Sequence, residues 1–123
     1  MAEILMYNIE PKKSAGIKLL CSQLGISCRA IEREDRGRPI GYLLGLSDSE
    51  VNKPEHDFDE ELLYFVDIRG DLLNIILHQL RKRKLTVALK AVMTETNIGF
   101  TSYELYRELS AEREALSKGA TAH

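Results

Sequence analysis

Two short strands that are apolar on both sides most constrain the fold of this chain. Residues 3–8 and 62–66 alternate apolar side chains onto both faces of a strand, as Ile4 and Met6 against Leu5 and Tyr7 show in the first of them. A strand of this kind is typical of the interior of a sheet that is covered on both sides. The two strands are therefore expected at the centre of one sheet.

Each apolar strand is followed by a helical pattern. After the first strand, Pro11 suits the first turn of a helix, apolar residues recur at helical spacing to Leu24, and Gly25 offers a left-handed C-terminal stop. After the second strand, the recurring leucines and isoleucines predict a helix from about residue 70 to residue 83. The two halves of the chain thus share one plan.

A strand with one apolar face follows each helix, over residues 26–32 and 85–94. In the later strand, Val87, Leu89 and Ala91 predict the core side, while the side that carries Lys90 and Val92 is mixed. The order βαβ-βαβ, followed by one more helix, predicts an α+β two-layer sandwich. The specific expectation is a ferredoxin-like, split βαβ arrangement with a four-stranded sheet and an additional C-terminal helix. Right-handed crossovers would place both helices on one sheet face and leave the other face to be covered by the Tyr42 segment, by the final helix or by another subunit.

The length of 123 residues, of which 44% are apolar, suits a single domain, predicted over residues 1–117. Residues 118–123 are small and polar and are predicted to form a flexible tail. Within the long connection between the halves, Tyr42, Leu43 and Leu46 are expected to pack as a helical turn against the core. The acidic residues 47–60 are expected to form a solvated loop.

Charge and composition exclude several classes of function. A net charge of −2 and a pI near 5.9 give no broad positive field, so neither nucleic acid nor a membrane surface is an expected partner. The basic run from Arg81 to Lys84 is interpreted as a complement to the carbonyl end of a helix dipole. With no signal peptide, no membrane span, and cysteines in no redox or metal spacing, a cytoplasmic location is predicted.

No motif for a metal, a cofactor or catalysis is present. The acidic turn around His56 offers oxygen ligands and one imidazole, but its spacing matches no known metal loop. A nucleophile with a partner and a poised general base are both lacking, so no catalytic residue, metal or cofactor is predicted and an enzyme is the less favoured class.

The stretch from residue 90 to residue 109 is the candidate for a site. Thr101 followed by Glu104 forms a capping box at a helix start, and the preceding turn is rich in hydroxyl and amide side chains. Such a turn satisfies its own backbone groups, yet free amides at a helix start also bind anions. The candidate ligand-binding residues are Thr94, Thr96, Asn97, Thr101 and Ser102.

The same stretch resembles the signature of a small bacterial family that is known only as a domain of unknown function. The resemblance rests on Lys90-Ala-Val-Met-Thr-Glu-Thr-Asn97, then an aromatic residue, Thr-Ser and Leu-x-x-Glu-Leu. Related features occur in residues 40–45 and 61–65, so it extends over most of the chain. Phe100 stands where the family more often has tryptophan. The resemblance implies a bacterial origin and a module, but no mechanism.

Two hypotheses of function follow. The first is a binding or interaction module that self-associates or docks a protein partner through the open sheet face and the last helix. Its candidate partner face consists of Ala88, Lys90, Val92, Tyr103 and Tyr106. The alternative is a sensor of a small anionic metabolite, or a weak enzyme, with its site at the turn of residues 94–102.

Overall fold

A computed structural model describes residues 1–49 and 51–121, and the side chains within these ranges up to residue 117. It shows an α+β protein with a four-stranded mixed sheet and four α-helices. The elements are β1 (Glu3–Tyr7), α1 (Pro11–Leu24), β2 (Ser27–Ala30), α2 (Ile40–Leu43), β3 (Leu62–Val66), α3 (Gly70–Lys82), β4 (Leu89–Val92) and α4 (Ser102–Thr121), with short 3-10 helices at Arg33–Asp35 and Asn97–Gly99.

The strand order of the sheet is β2-β1-β3-β4. The strands β1 and β3, apolar on both faces, lie at the centre as predicted, and they pair antiparallel. Each also pairs in parallel with the strand that follows it after a helix, β2 beside β1 and β4 beside β3. In a split βαβ unit another strand would separate the two parallel strands. Here the two parallel strands of each βαβ segment are direct neighbours, so neither segment is split. The predicted ferredoxin-like arrangement is therefore not confirmed.

Helices α1 and α3 cover one face of this sheet. Ile4 and Met6 of β1 and Leu63 and Phe65 of β3 are buried in one core with residues of both helices. The helical members of this core are Ile17, Leu20, Cys21, Ile76 and Leu80. The prediction that both helices lie on a single sheet face is correct, as right-handed parallel crossovers require.

Helix α1 also makes a polar contact with the strand region. The Lys13 ammonium lies 2.5 Å from a carboxylate oxygen of Glu61 and donates a hydrogen bond of 2.8 Å to the carbonyl oxygen of Thr86. The amide of Glu10 donates to the other oxygen of Glu61. These three contacts position the start of α1 beside the start of β3.

The second face of the central strands is buried as well. Leu5, Tyr7 and Tyr64 have no exposed surface. At the central strands the second sheet face is therefore covered and is not available to a partner, as their apolar residues on both faces predict.

The side chain of Lys90 lies on the opposite face from the one predicted. In the parallel pairing of β3 with β4, Lys90 is opposite Leu63 and Val92 is opposite Phe65, so both share the face that the helices cover. The reason is that β4 begins only at Leu89. Residues 85–88 are not in a strand, and the two-residue alternation does not run through them.

The described residues group into two compact units. The first comprises Met1–Ile31 and Asp59–Met93, which hold the whole sheet with α1 and α3. The second comprises the described residues of Glu32–Phe58 and Thr94–His123, with α2 and α4. One domain over residues 1–117 stays a prediction. Of the predicted tail, the backbone is helical through Thr121, and residues 122–123 lie outside the described part of the chain.

The second unit is built on two chain segments that run side by side. Pro39 and Thr101 form an antiparallel bridge, the amide of Ile40 donates to the carbonyl of Phe100, and the amide of Ser102 donates to the carbonyl of Arg36. Ile40 is fully buried, whereas Leu46 is 66% exposed. The helical turn predicted near Tyr42 is thus present as α2, but its buried apolar side chain is that of Ile40 and not that of Leu46.

Gly37 tests the packing of the second unit. A Cβ atom at this position would lie 2.7 Å from the carbonyl oxygen and 2.8 Å from the carbonyl carbon of Lys53, and backbone atoms cannot move aside as a flexible side chain can. We expect Gly37→Ala to lower the free energy of unfolding by about 1–3 kcal/mol in urea denaturation. Gly99→Ala is the control, since a Cβ atom there meets nothing within 4 Å. An equal effect of the two substitutions would contradict the close approach of residues 37 and 53.

Candidate functional site

The turn before α4 satisfies its own polar groups. The amide of Thr94 donates to Oδ1 of Asn97 at 2.8 Å, and the amide of Asn97 donates to Oγ1 of Thr94 at 3.0 Å. The carbonyls of Thr94 and Thr96 accept from the amides of Ile98 and Gly99. Short polar side chains fold the chain back locally here, as their preference for turns predicts.

The first turn of α4 has the predicted capping box. The amide of Glu104 donates to Oγ1 of Thr101 at 3.1 Å, and the amide of Thr101 donates to Oε1 of Glu104 at 3.0 Å. The Thr101 side chain is almost fully buried, and Ser102 is completely buried. Since the amide of Ser102 donates to the carbonyl of Arg36, three amides at this helix start, those of Thr101, Ser102 and Glu104, already have acceptors within the protein.

The five candidate ligand-binding residues therefore lie together in the second unit, but much of their hydrogen-bonding capacity is used internally. Thr96 is the exposed member with no side-chain hydrogen bond in the described chain. A site for an anion at residues 94–102 stays a prediction, and the geometry of the described residues favours the architectural interpretation of this turn.

The five candidate partner residues divide between the two units. Ala88, Lys90 and Val92 are exposed in or just before the edge strand β4 of the first unit, and the Lys90 ammonium donates to the carbonyl of Val87 at 3.1 Å. In the second unit, Tyr103 is 7% exposed and Tyr106 is half-buried. These five residues do not form the single sheet face that the sequence predicted.

A buried arginine organises the second unit. The side chain of Arg36 is 2% exposed. Its Nη1 donates to Oδ1 of Asp57 at 2.7 Å and to the carbonyl of Phe58 at 3.2 Å. Its guanidinium carbon lies 5.0 Å from the centre of the Phe58 ring, within the range of a cation–π interaction. Buried charge of this kind is stable only when it is paired and hydrogen-bonded, and here both conditions hold.

The ring of Phe58, which contacts Arg36, also contacts α4. The rings of Phe58 and Tyr106 are stacked with centroids 4.3 Å apart and planes 3° from parallel. Arg107, the next residue of α4, forms an ion pair with Glu55. Residues 55–58 therefore contact α4 by stacking and by charge. The described residues of 47–60 form neither helix nor strand and are mostly exposed, as the loop prediction requires, but Phe58 is buried.

The carboxylate of Asp57 lies between two arginines. Besides Arg36, Nη1 of Arg33 donates to Oδ2 of Asp57 at 2.5 Å. Partial burial raises the pKa of Asp57, but hydrogen bonds from Arg36, from the Phe58 amide and from Arg33 lower it by more. The net result is a pKa below the ordinary value, so the folded state favours the charged form of Asp57.

Sequence reasoning did not find this cluster. Arg36 lies in a charged turn, and Asp57 lies in an acidic stretch 21 residues later, so each residue resembles ordinary solvated surface. The available signal was Phe58, an aromatic residue within an otherwise polar and acidic stretch. Because Arg36 and Asp57 are paired with each other and with neighbouring groups of the same unit, we interpret the cluster as a support for the fold of the second unit.

The described residues offer neither a metal centre nor a membrane segment. No three or more of their His, Cys, Asp and Glu side chains are grouped in a way that would hold a metal ion. None of the helices, as far as the structure describes them, combines the length and the apolarity needed to cross a membrane.

Comparison with known proteins gives one family match. Residues 61–116 match the family described as a domain of unknown function, DUF3783. The matched segment contains β3, α3, β4 and most of α4. No curated protein and no solved structure shows significant similarity to the chain. The resemblance to a family of unknown function is thus supported for this segment, whereas residues 40–45, part of the predicted resemblance, lie outside it.

The capping box gives a prediction for α4. We expect Thr101→Ala to lower the free energy of unfolding by about 1 kcal/mol, because the amide of Glu104 loses its acceptor. Glu104→Gln is the matched control, since glutamine keeps an oxygen that accepts from the amide of Thr101. Chemical denaturation followed by circular dichroism measures both. If the two variants were equally stable, the capping role of the Thr101 hydroxyl would be refuted.

The lowered pKa of Asp57 gives a prediction for acid stability. A carboxyl group whose pKa is lower in the folded than in the unfolded state stabilises the fold above its unfolded pKa, and this contribution is lost as the pH falls through that range. We expect the wild-type protein to lose stability between about pH 5 and pH 2 more steeply than Asp57→Asn. Near pH 7 the substitution should cost about 1–3 kcal/mol, because Arg36 stays buried beside a weaker acceptor.

Asp48→Asn is the control for the same measurement, because Asp48 is exposed in the same unit and undergoes the same chemical change. The stability of Asp48→Asn should fall between about pH 5 and pH 2 as steeply as that of the wild-type protein. An acid limb that is identical in wild type and Asp57→Asn would show that the Asp57 carboxylate does not couple folding to pH.

Proposed function

We propose that this protein is a binding module that self-associates through the second half of α4. The observation that carries the proposal is the exposure of this helix: every residue from Ala111 to Ser117 is exposed, and Leu116 is 75% exposed. The first turns of α4 are buried in the second unit, so the helix continues well past its own packing. A helix of this kind gains most of its stability only when a further surface covers it.

The apolar residues of this segment suit a helix partner. Leu109 and Leu116 are seven residues apart, which places them on one stripe of the helix two turns from each other. An open groove runs beside this stripe and is lined by Tyr106, Ser110, Arg113, Glu114 and Ser117. A second helix laid along α4 would cover the leucine stripe and this groove together.

The charges of the segment favour a second copy of α4 as the partner. Residues 107–118 contain three basic and three acidic side chains, so the surface is neutral overall and mixed in sign. A strongly acidic or basic partner would gain no net attraction from such a surface, whereas a second copy of α4 carries the same neutral mixture of charges and is not repelled by it. The proposed contact is therefore symmetric between two chains.

The contact is expected to be weak. The exposed segment from Ala111 to Ser117 is about 10 Å long at roughly 1.5 Å per residue, and two such segments bury an area at the low end of specific interfaces. A dissociation constant on the order of tens to hundreds of micromolar is therefore expected.

Sedimentation and light scattering over about 10–500 micromolar protein test this proposal. The average mass should rise with concentration from 14.0 kDa toward twice that value. Leu116→Lys should abolish the rise, because it places a charge in the centre of the contact while keeping a good helix former near a helix C-terminus.

Leu19→Lys is the matched control, since Leu19 is 57% exposed on α1 and undergoes the same substitution. It should leave self-association unchanged. A wild-type chain that stays monomeric over the whole range, or an equal loss in both variants, would refute self-association through α4.

A further inference from the structure

A small pocket opens between the end of α3 and β4, within the first unit. Its floor is apolar and is formed by Leu77, Leu80 and Val87, of which Leu80 and Val87 are buried. Arg81, Thr86 and Lys90 line the rest of the pocket, whose volume is about 130 Å³. No acidic side chain lines it in the described part of the chain.

The two cations of this pocket have no anionic partner. Among the described residues, Arg81 forms no ion pair and no side-chain hydrogen bond, and Lys90 makes one bond, from its ammonium to the carbonyl of Val87. That bond anchors the ammonium next to a residue of the floor and leaves two of its three donors available. The hydroxyl of Thr86 also has no partner in the described chain, since Lys13 contacts only the carbonyl of this residue.

The last carbonyl groups of α3 are not free to accept hydrogen bonds from Arg81 or Lys90. The carbonyls of Gln79, Leu80 and Arg81 accept from the amides of Arg83, Leu85 and Lys84, respectively. This closure depends on Lys84, whose φ of 57° places it in the left-handed region. Backbone donors thus satisfy these carbonyls, and the guanidinium of Arg81 is not required for that purpose.

We propose that this pocket binds a small carboxylate with a compact apolar tail. Arg81 and Lys90 would pair with the carboxylate, Thr86 would donate a hydrogen bond to it, and the tail would lie on Leu77, Leu80 and Val87. A cavity of about 150 Å³ holds a benzene molecule, so the volume of this pocket matches a tail of roughly four to six carbon atoms. The site is independent of the proposed contact through α4.

The basic run of residues 81–84 can be divided on this basis. From the sequence, all four cations are predicted to complement the dipole of α3. Only Arg81 among them lines the pocket. Lys82 has the same charge one residue away and is exposed outside the pocket. The two residues therefore separate a specific site from general attraction of anions to a basic surface.

Titration of the full chain with 3-methylbutyrate and benzoate, followed by amide chemical shifts, tests the proposal. Saturable shifts should be concentrated at residues 77–81 and 86–90, with a dissociation constant on the order of a millimolar for ligands of this size. The uncharged isosteres 3-methylbutanamide and benzamide should bind at least about tenfold more weakly, because they lack the negative charge. Inorganic phosphate should bind more weakly by a similar factor, because it lacks the apolar tail.

Arg81→Gln and Lys90→Gln should each weaken binding of 3-methylbutyrate by about fivefold to tenfold, and Lys82→Gln should leave it unchanged. Melting temperatures of the three variants confirm that each is folded, and all three positions are exposed. An equal loss with Lys82→Gln, or phosphate binding as tight as that of the carboxylates, would overturn the proposal. Shifts confined to residues 94–102 would overturn it as well, because they would locate the anion at the turn before α4.

Discussion

The antiparallel pairing of β1 with β3 is the contact on which the rest of the structure depends. It joins residues far apart in the chain, with Leu5 opposite Tyr64 and Met6 opposite Leu63. Both faces of this pair are buried, so a shift of one residue would exchange two apolar faces and would also misplace β2 and β4, which pair on either side. The register of the whole sheet is thereby fixed at its centre.

The sequence predicted the central strands and the helix ends because local rules govern them. An interior strand needs apolar residues on both faces, and the capping box at Thr101 requires only two residues at a fixed spacing. The order of the strands cannot be predicted in this way. A βαβ unit with neighbouring parallel strands and a split unit have the same sequence pattern and differ only in which strands pair. The sequence predicts the wrong face for Lys90 because Val87 and Leu89 are two residues apart, which in one continuous strand would place them on the same face. Val87 instead packs with the helices before β4 begins.

Non-local charge pairing was the main feature beyond the reach of the sequence. Arg36 is buried only because Asp57, the carbonyl of Phe58 and the ring of Phe58 all contact it, and none of these contacts is encoded near Arg36. The pocket beside Lys90 was missed for a related reason. Its cations come from a helix end and an edge strand, and the sequence alone offers no reason to place these two elements side by side with an apolar floor between them.

The arrangement of the sheet also makes it an intramolecular dimer of two βαβ units. The two βαβ segments meet through the antiparallel pairing of β1 with β3, as two copies of one segment would around a twofold axis. The connection between them is not a bare linker, since Arg36 is buried within it and Phe58 stacks on Tyr106 of α4. The sheet itself requires only that residues 32–58 join β2 to β3, which leaves these residues available to form the second unit together with the C-terminal segment.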